Sequence, residues 1–373
     1  MGPVYGGALG PPAGLLPGAA AEPAAEEAAG EARGAPCVVV VGSASRDLDA
    51  TDPRGWRLGG GVSYGALTLA RLGVRTAALI GVDAEAATAW ELGLLRDAGV
   101  DLVPVRLAGG PVFDNRETPD GRVQWCHQPG QPIPVGFIPP GWRRAPAWLL
   151  APVADELPDG WAAIPAGAVV ALGWQGLLRE LAAGERVRAR PPAPRPLVHR
   201  ADLVSLSVHD VGGHPILADV LAPLRPGALC TLTRGPNGGL AIIVRRDRPR
   251  PRLRRYRAFP AVEVDAVGAG DVFLAGLLAA RVIPALAGQV PRLGMALQFA
   301  AAAAAVHVTR RGLSGVPTLA EVRRRLASPW TADAGGGAGD RRPAAAGDPP
   351  EAPGGAGRPS PEVGEPLSPP GGA

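Results

Sequence analysis

The stretch "VDAVGAGDVFLAG", Val264 to Gly276, decides the reading of this chain. Three small residues, Gly268-Ala269-Gly270, lead into Asp271, and an apolar run follows at once. The spacing predicts a helix that starts within the small residues and continues through "VFLAGLLAA", with Asp271 in its first turn. A helix N-terminus presents unpaired N–H groups and partial positive charge. Small residues let an anion come close to that backbone. Two readings of Asp271 follow. It caps the helix, or it is a carboxylate beside a phosphate cradle, placed to deprotonate a hydroxyl while charge develops on a transferring phosphoryl group.

Outward from this stretch, strand-like and helical segments alternate. "CVVVVG" (37–42) is a β-branched run suited to a buried strand, and "TAALIG" (76–81) is a second. "VSYGALTLARLG" (62–73) and "ATAWELGLLRDAG" (87–99) have helical spacing and glycine stops. "LVPVRL", "AWLLAPV", "GAVVALG", "ADLVSLSV", "ALCTLTRG" and "GLAIIVRR" continue the strand series. "FDNRETPDGRVQW" (113–125) reads as a hairpin turning at "PDG". This order predicts an α/β fold with a mainly parallel sheet covered on both faces. Residues 1–35 and 329–373 are Ala-, Gly- and Pro-rich without apolar period, and read as disordered tails around a domain at 36–328.

Composition removes several classes. All 38 basic residues are arginine, because the sequence contains no lysine. That excludes a Walker A loop, the strand lysine of protein kinases and a lysine Schiff base. Phosphate must then be met by backbone amides, arginine or metal. Three widely spaced cysteines give no disulfide framework, and histidines at no ligand spacing give no zinc site. "VGSASRD" lacks the dinucleotide-binding glycine pattern. No run is long enough for a membrane span, and the N-terminal stretch lacks the basic residues of an export signal. The arginine-dense "VRRDRPRPRLRRYR" (244–257) reads as an exposed hairpin rather than a nucleic-acid surface. A cytoplasmic protein is the expectation.

"DAVGAGDVFLAG" resembles the second signature of the PfkB carbohydrate kinases, the ribokinase-like family, with Ala266 in place of the usual threonine. "LGGGVSYGALTLARLGVRTAALIGVD" (58–83) is similar to the N-terminal signature, "LTRGPNGG" (232–239) to the nucleotide loop, and "AAAAAAVHVTRRGLSGVP" (300–317) to the closing helix and turn. The resemblance spans about 36–326. "GGGVSY" with the "GWQGLLR" segment resembles a bacterial branch of the family. It implies a three-layer α/β/α ribokinase-like fold with a small β lid. It implies transfer of the γ-phosphoryl of ATP, with Mg2+ and room for a monovalent cation, to a hydroxyl of a sugar, polyol (inositol-like) or nucleoside. A homodimer is compatible with it.

On the matching positions, Asp271 is the implied base and Gly268, Ala269 and Gly270 the anion hole. Thr233, Gly235, Gly238 and Asp265 are the implied nucleotide residues. Asp47, just after the first strand, is the implied substrate carboxylate, with Asp49 and Asp52 as competitors; Gly60 and Gly61 allow close backbone approach to a polyol. Asn115 faces substrate from a lid, or belongs to a hairpin with no contact. The chain departs from the family in three places. Tyr64 replaces the usual asparagine, and either lines the substrate pocket or packs inward. The Asn-x-x-Glu metal motif survives only as Ser207-Val208-His209-Asp210, leaving Asp210 for metal. "LGWQGLLRE" replaces the sugar-kinase strand end, leaving Arg179 for phosphate or substrate. The alternative to an enzyme is a non-catalytic ligand-binding protein on the same fold.

Overall fold

The four valines of "VVVVGS" are fully buried, and the reason is geometric. Successive strand side chains point to opposite faces. Val38 and Val40 therefore enter one core, and Val39 and Val41 a second one on the other side of the sheet. A continuous apolar run is what a strand covered on both faces requires. The structure is a computed structural model that describes residues 35–118, 121–212, 216–245, 251–282 and 292–328. The tail readings fall outside these residues except at Ala35, as does Pro119-Asp120 of the expected hairpin turn.

Strands β1 (Val38–Ser43), β2 (Arg46–Leu48) and β3 (Trp56–Leu58) precede helix α1 (Gly61–Arg71), which leads into β4 (Thr76–Val82). Helix α2 (Glu91–Asp97) is followed by β5 (Asp101–Arg106), β6 (Val112–Thr118), β7 (Gly121–Gln128), β8 (Ala147–Leu150) and β9 (Val169–Gly173). Short strands β10 (Arg179–Glu180), β11 (Glu185–Arg186) and β12 (Arg188–Ala189) come before helix α3 (Pro196–Arg200) and β13 (Leu203–Ser207). Then come α4 (Leu217–Leu221), β14 (Leu229–Thr233), β15 (Gly239–Ile243), β16 (Arg252–Tyr256), α5 (Ala269–Val282), α6 (Leu293–His307) and α7 (Leu319–Ala327).

Nine strands form the main sheet in the order β16-β15-β14-β13-β9-β8-β1-β4-β5. Every pairing from β14 to β5 is parallel, and β15 and β16 close one edge as antiparallel neighbours. The chain leaves β1 toward β4 and β5, then returns to build outward from β8. This reversal opens a crevice at the C-terminal ends of β1 and β8, where open α/β sheets bind ligands. A second sheet, β11-β7-β6-β2-β3, forms the expected lid and includes the hairpin read from 113–125.

Both expected glycine stops are present. Gly73 and Gly99 have φ of 85°, and each follows a helix whose last carbonyls accept from the glycine and from the residue after it. This is the Schellman arrangement, which needs a left-handed residue. The two faces of the main sheet differ. Side chains of α1, α2, α5 and α6 enter the core built on Val38 and Val40. The opposite core is closed by short helices and 3-10 turns, with Trp142, Trp148, Trp161 and Trp174 filling the volume. Proline explains the thin layer: six prolines within 129–146 and four within 191–196 remove the donors a long helix needs.

One buried carboxylate ties the crevice together. Glu156 is 1% exposed, and its oxygens accept from the amides of Ser43 (2.8 Å), Val153 (3.0 Å) and Ala154 (2.7 Å). It joins the end of β1 to the loop after β8. Glu156→Ala strands those amides, and since a buried donor left unsatisfied costs about 1–3 kcal/mol, the expected destabilisation is at least about 3 kcal/mol by urea unfolding.

Candidate active site

Asp271 lies in the first turn of α5, as its sequence context predicts. Its carboxylate rests against the first residue of α1: a Cβ added at Gly61 would come within 2.7 Å of Asp271 Oδ1 and 3.1 Å of Ala151 Cβ. Gly173, at the end of β9, faces the same oxygen. The group thus sits at the C-terminal edge of the sheet, where the N-termini of two long helices meet. Its ionisation is set by burial first, and no hydrogen bond to it is present among the described residues. Burial, with Asp210 and Asp47 adding to it and Arg179 opposing, pushes its pKa up to about 7. An Asp that capped the helix would be held ionised by backbone donors. Asp271 is instead half-buried at the crevice, with its carboxyl pushed up toward neutrality.

The loop before it is fixed from three sides. Gly268 has φ of 80° and lies flat on the Tyr64 ring, 2.5 Å from its Cδ1 to the position of an added Cβ, so only glycine fits. The Val267 amide donates to Asp265 Oδ1 (3.0 Å), and the Val267 carbonyl accepts from His307 Nε2 (2.7 Å). A carbonyl only accepts, so His307 carries its proton on Nε2, and burial holds its pKa below the usual imidazole value. In a trans peptide the C=O and N–H point opposite ways. Drawing the Val267 carbonyl toward His307 therefore turns the Gly268 N–H the other way. Gly268, Ala269 and Gly270 stand where the sequence puts an anion hole.

Several expected residues converge on this edge. Asp47 (8% exposed) accepts from Ser45 Oγ at 3.0 Å and its charge reaches Asp271. Its competitors are engaged elsewhere: Asp49 with Arg57 and Thr51, Asp52 with Arg54. The glycine triplet has three separate neighbours. Gly59, which the sequence reading passed over, faces the Asp47 carboxylate, Gly60 the Ser43 carbonyl, and Gly61 Asp271. Arg179 lies over the Phe113 ring, 5.7 Å from its centre, and its charge reaches Asp271. Asn115, on the same strand as Phe113, accepts from Gln124 Nε2 at 2.9 Å. Thr233, Gly235 and Gly238 lie at the turn from β14 to β15, and both glycines have positive φ.

One open reading is decided and two expectations change. Tyr64 does not line an open pocket. Its ring is 2% exposed, supports Gly268 and meets His307 edge-on at 5.4 Å, because α1 turns its first-turn side chains into the core. Burial, then Asp47 and Asp265, hold the phenol protonated. Asp265, expected at the nucleotide, spends its oxygens on the loop: Val267 N on one, Arg57 Nη1 (2.7 Å) and Gly312 N (3.0 Å) on the other. Asp210 closes a capping box with Ser207 and accepts from Gln175 Nε2 (3.0 Å). Among the described residues no cluster of three or more His, Cys, Asp or Glu is suited to hold a metal.

The sign of the Asp271 shift has a measurable consequence. Its unfolded value is 3.8 and its folded value about 7. Between these the folded chain keeps a proton that the unfolded chain has lost, so stability falls as pH rises through that window. Asp271→Asn removes the charge. The variant is expected to melt higher than the wild type above pH 7, the gap closing toward pH 4. Equal melting temperatures across that range would contradict the placement of the carboxylate.

The family profile of the pfkB carbohydrate kinases matches residues 231–319, from within β14 to the start of α7. Among curated proteins, none matches this sequence. The fold resembles a pyrophosphate-dependent kinase of the ribokinase family complexed with a pyrophosphate analog and myo-inositol, with TM-score 0.59 and 18% identity over 77% of this chain and 99% of that one. It also resembles Arabidopsis thaliana ribokinase complexed with ribose and ATP, with TM-score 0.55 and 20% identity over 79% and 100%. A third likeness is to Methanocaldococcus jannaschii nucleoside kinase, with TM-score 0.53 and 16% identity over 79% and 99%. The segment that carries "GAGD" is thus similar to the pfkB carbohydrate kinases, and the sheet, lid and helix layer around it have the fold of the ribokinase-family structures.

Proposed function

We propose that the protein transfers the γ-phosphoryl group of ATP to a hydroxyl of a small sugar or polyol, with Asp271 as general base. The observation that carries this reading is the Asp271 carboxylate itself: desolvated, without a hydrogen-bond donor among the described residues, and in the first turn of a helix that begins at Ala269. Asp47 and Asn115 receive the acceptor's hydroxyls. Asp271 Oδ takes the proton of one of them as its oxygen attacks the γ-phosphorus. The bond from that phosphorus to the bridging oxygen breaks, ADP leaves, and the proton passes from Asp271 to water. Negative charge on the transferring group meets the amides of Gly268 to Asp271, with Arg179 as the nearby cation in a chain that has no lysine. Thr233, Gly235 and Gly238 border the nucleotide. Magnesium, when bound with the donor, offsets phosphate charge.

A panel of D-ribose, D-fructose, myo-inositol and inosine, each with ATP and with pyrophosphate, tests the reading. Turnover of at least one sugar or polyol is expected, with kcat/KM rising as a single group loses its proton near pH 7, the value of about 7 carried by Asp271. Asp271→Asn is expected to lower kcat by about 10²–10⁴, the usual worth of a general base. Binding without turnover for every pair would favour a non-catalytic ligand-binding protein instead.

A further inference from the structure

Arg57 has no place in the reading above, yet it connects the two halves of the site. It lies on β3, in the lid sheet, and is directly opposite Asp47 in the β2–β3 ladder. Asp47 is in turn paired with Phe113 of β6, and Phe113 with Cys126 of β7. One cross-strand row thus runs Cys126–Phe113–Asp47–Arg57 across the lid. At the end of this row the Arg57 guanidinium leaves its own sheet. Its Nη1 bonds Asp265 Oδ2 at 2.7 Å, and its Nε pairs with Asp49 at 3.1 Å. Asp265 uses its other oxygen to hold the N–H of Val267, the residue immediately before Gly268.

The planar fork of the guanidinium is what allows one side chain to hold two carboxylates in fixed directions. A shift of β3 moves Arg57, Arg57 moves Asp265, and Asp265 moves the peptide that aims the anion-binding amides. The partners lie 208 residues apart in sequence, so the link exists only in the folded chain.

We infer that Arg57 is a positioning residue for the anion hole, through which the lid strand paired with the one carrying Asp47 sets the direction of the Gly268–Asp271 amides. The inference rests on the proposed phosphoryl site but not on the identity of the acceptor.

The test uses the full chain and inorganic pyrophosphate as the probe, with binding measured calorimetrically. Wild type is expected to bind it. Arg57→Ala is expected to weaken binding by about tenfold, in the range of ordinary coupling between linked sites. Guanidinium added to the Ala variant should restore affinity, whereas methylammonium should not, because the fork and not the charge makes the bridge. Arg57→Lys should remain impaired. Arg54→Ala is the comparison: it removes the neighbouring guanidinium of the same hairpin, which pairs with Asp52 and Glu91 and not with the loop. It should lower the melting temperature and keep wild-type pyrophosphate affinity.

Where an acceptor is turned over, Arg57→Ala should reduce kcat by up to about 10², the scale of a displacement near 1 Å at a reacting group, and guanidinium should recover it. Unchanged affinity in Arg57→Ala, a loss that methylammonium repairs equally, or a wild type that fails to bind pyrophosphate would each overturn the inference. Absence of turnover in the wild type with these affinity effects intact would overturn the kinase reading alone.

Discussion

The folded chain desolvates the Asp271 carboxylate and gives it no hydrogen-bond donor among the described residues. Much of the sheet's C-terminal edge is arranged to keep that state. Gly61 and Gly173 lack side chains where the carboxylate lies, so on those sides the half-buried group meets backbone rather than donors. Glu156 holds the adjacent strand ends with its own carboxylate, satisfying the amides that would otherwise turn toward solvent or toward Asp271. Two acids a short way apart thus have opposite fates. One is wrapped in N–H groups and fixes structure, while the other is deprived of them and stays reactive.

The same logic governs the loop that precedes Asp271. Both backbone polar groups of Val267 are bonded into the protein, its N–H to Asp265 and its C=O to His307. The Gly268 N–H shares a peptide unit with that C=O, so it has little rotational freedom. An anion site made of backbone amides depends on this, since amides that must reorient when the anion arrives stabilise it less. Tyr64 adds a flat floor under Gly268. Its replacement of a smaller polar residue is thereby understood as support for the loop, with the phenol's burial as the cost.

Local pattern made part of this visible in the sequence. The valine run of β1 fixes a two-sided strand, Gly73 and Gly99 fix helix ends, and the small residues before Asp271 fix a helix start, because each of these depends only on neighbours in the chain. The hairpin at 113–125 is of the same kind. What stayed hidden depends on partners far away. Nothing near Arg57 announces Asp265, nothing near Glu156 announces Ser43, 113 residues earlier, and His307 in an alanine-rich helix gives no sign that it bonds the anion loop. Asp49, Asp52 and Asp47 look alike as a string; only the arginines supplied by the fold separate them. Tyr64 stayed open between pocket and core for a related reason, since which way a first-turn side chain faces is decided by the packing of α1 against α5.

The uneven covering of the sheet also decides what a spectroscopist sees. Trp142, Trp148, Trp161 and Trp174 all belong to the proline-rich face, whereas among the described residues the helical face that carries Asp271 has Trp56 as its one buried indole. Intrinsic fluorescence therefore reports mainly on one side of the molecule. Emission from that side will track the loss of the tryptophan layer during denaturation. It will be nearly silent to rearrangements of α5 and the loop before it, which call for circular dichroism or a label placed on the helical face.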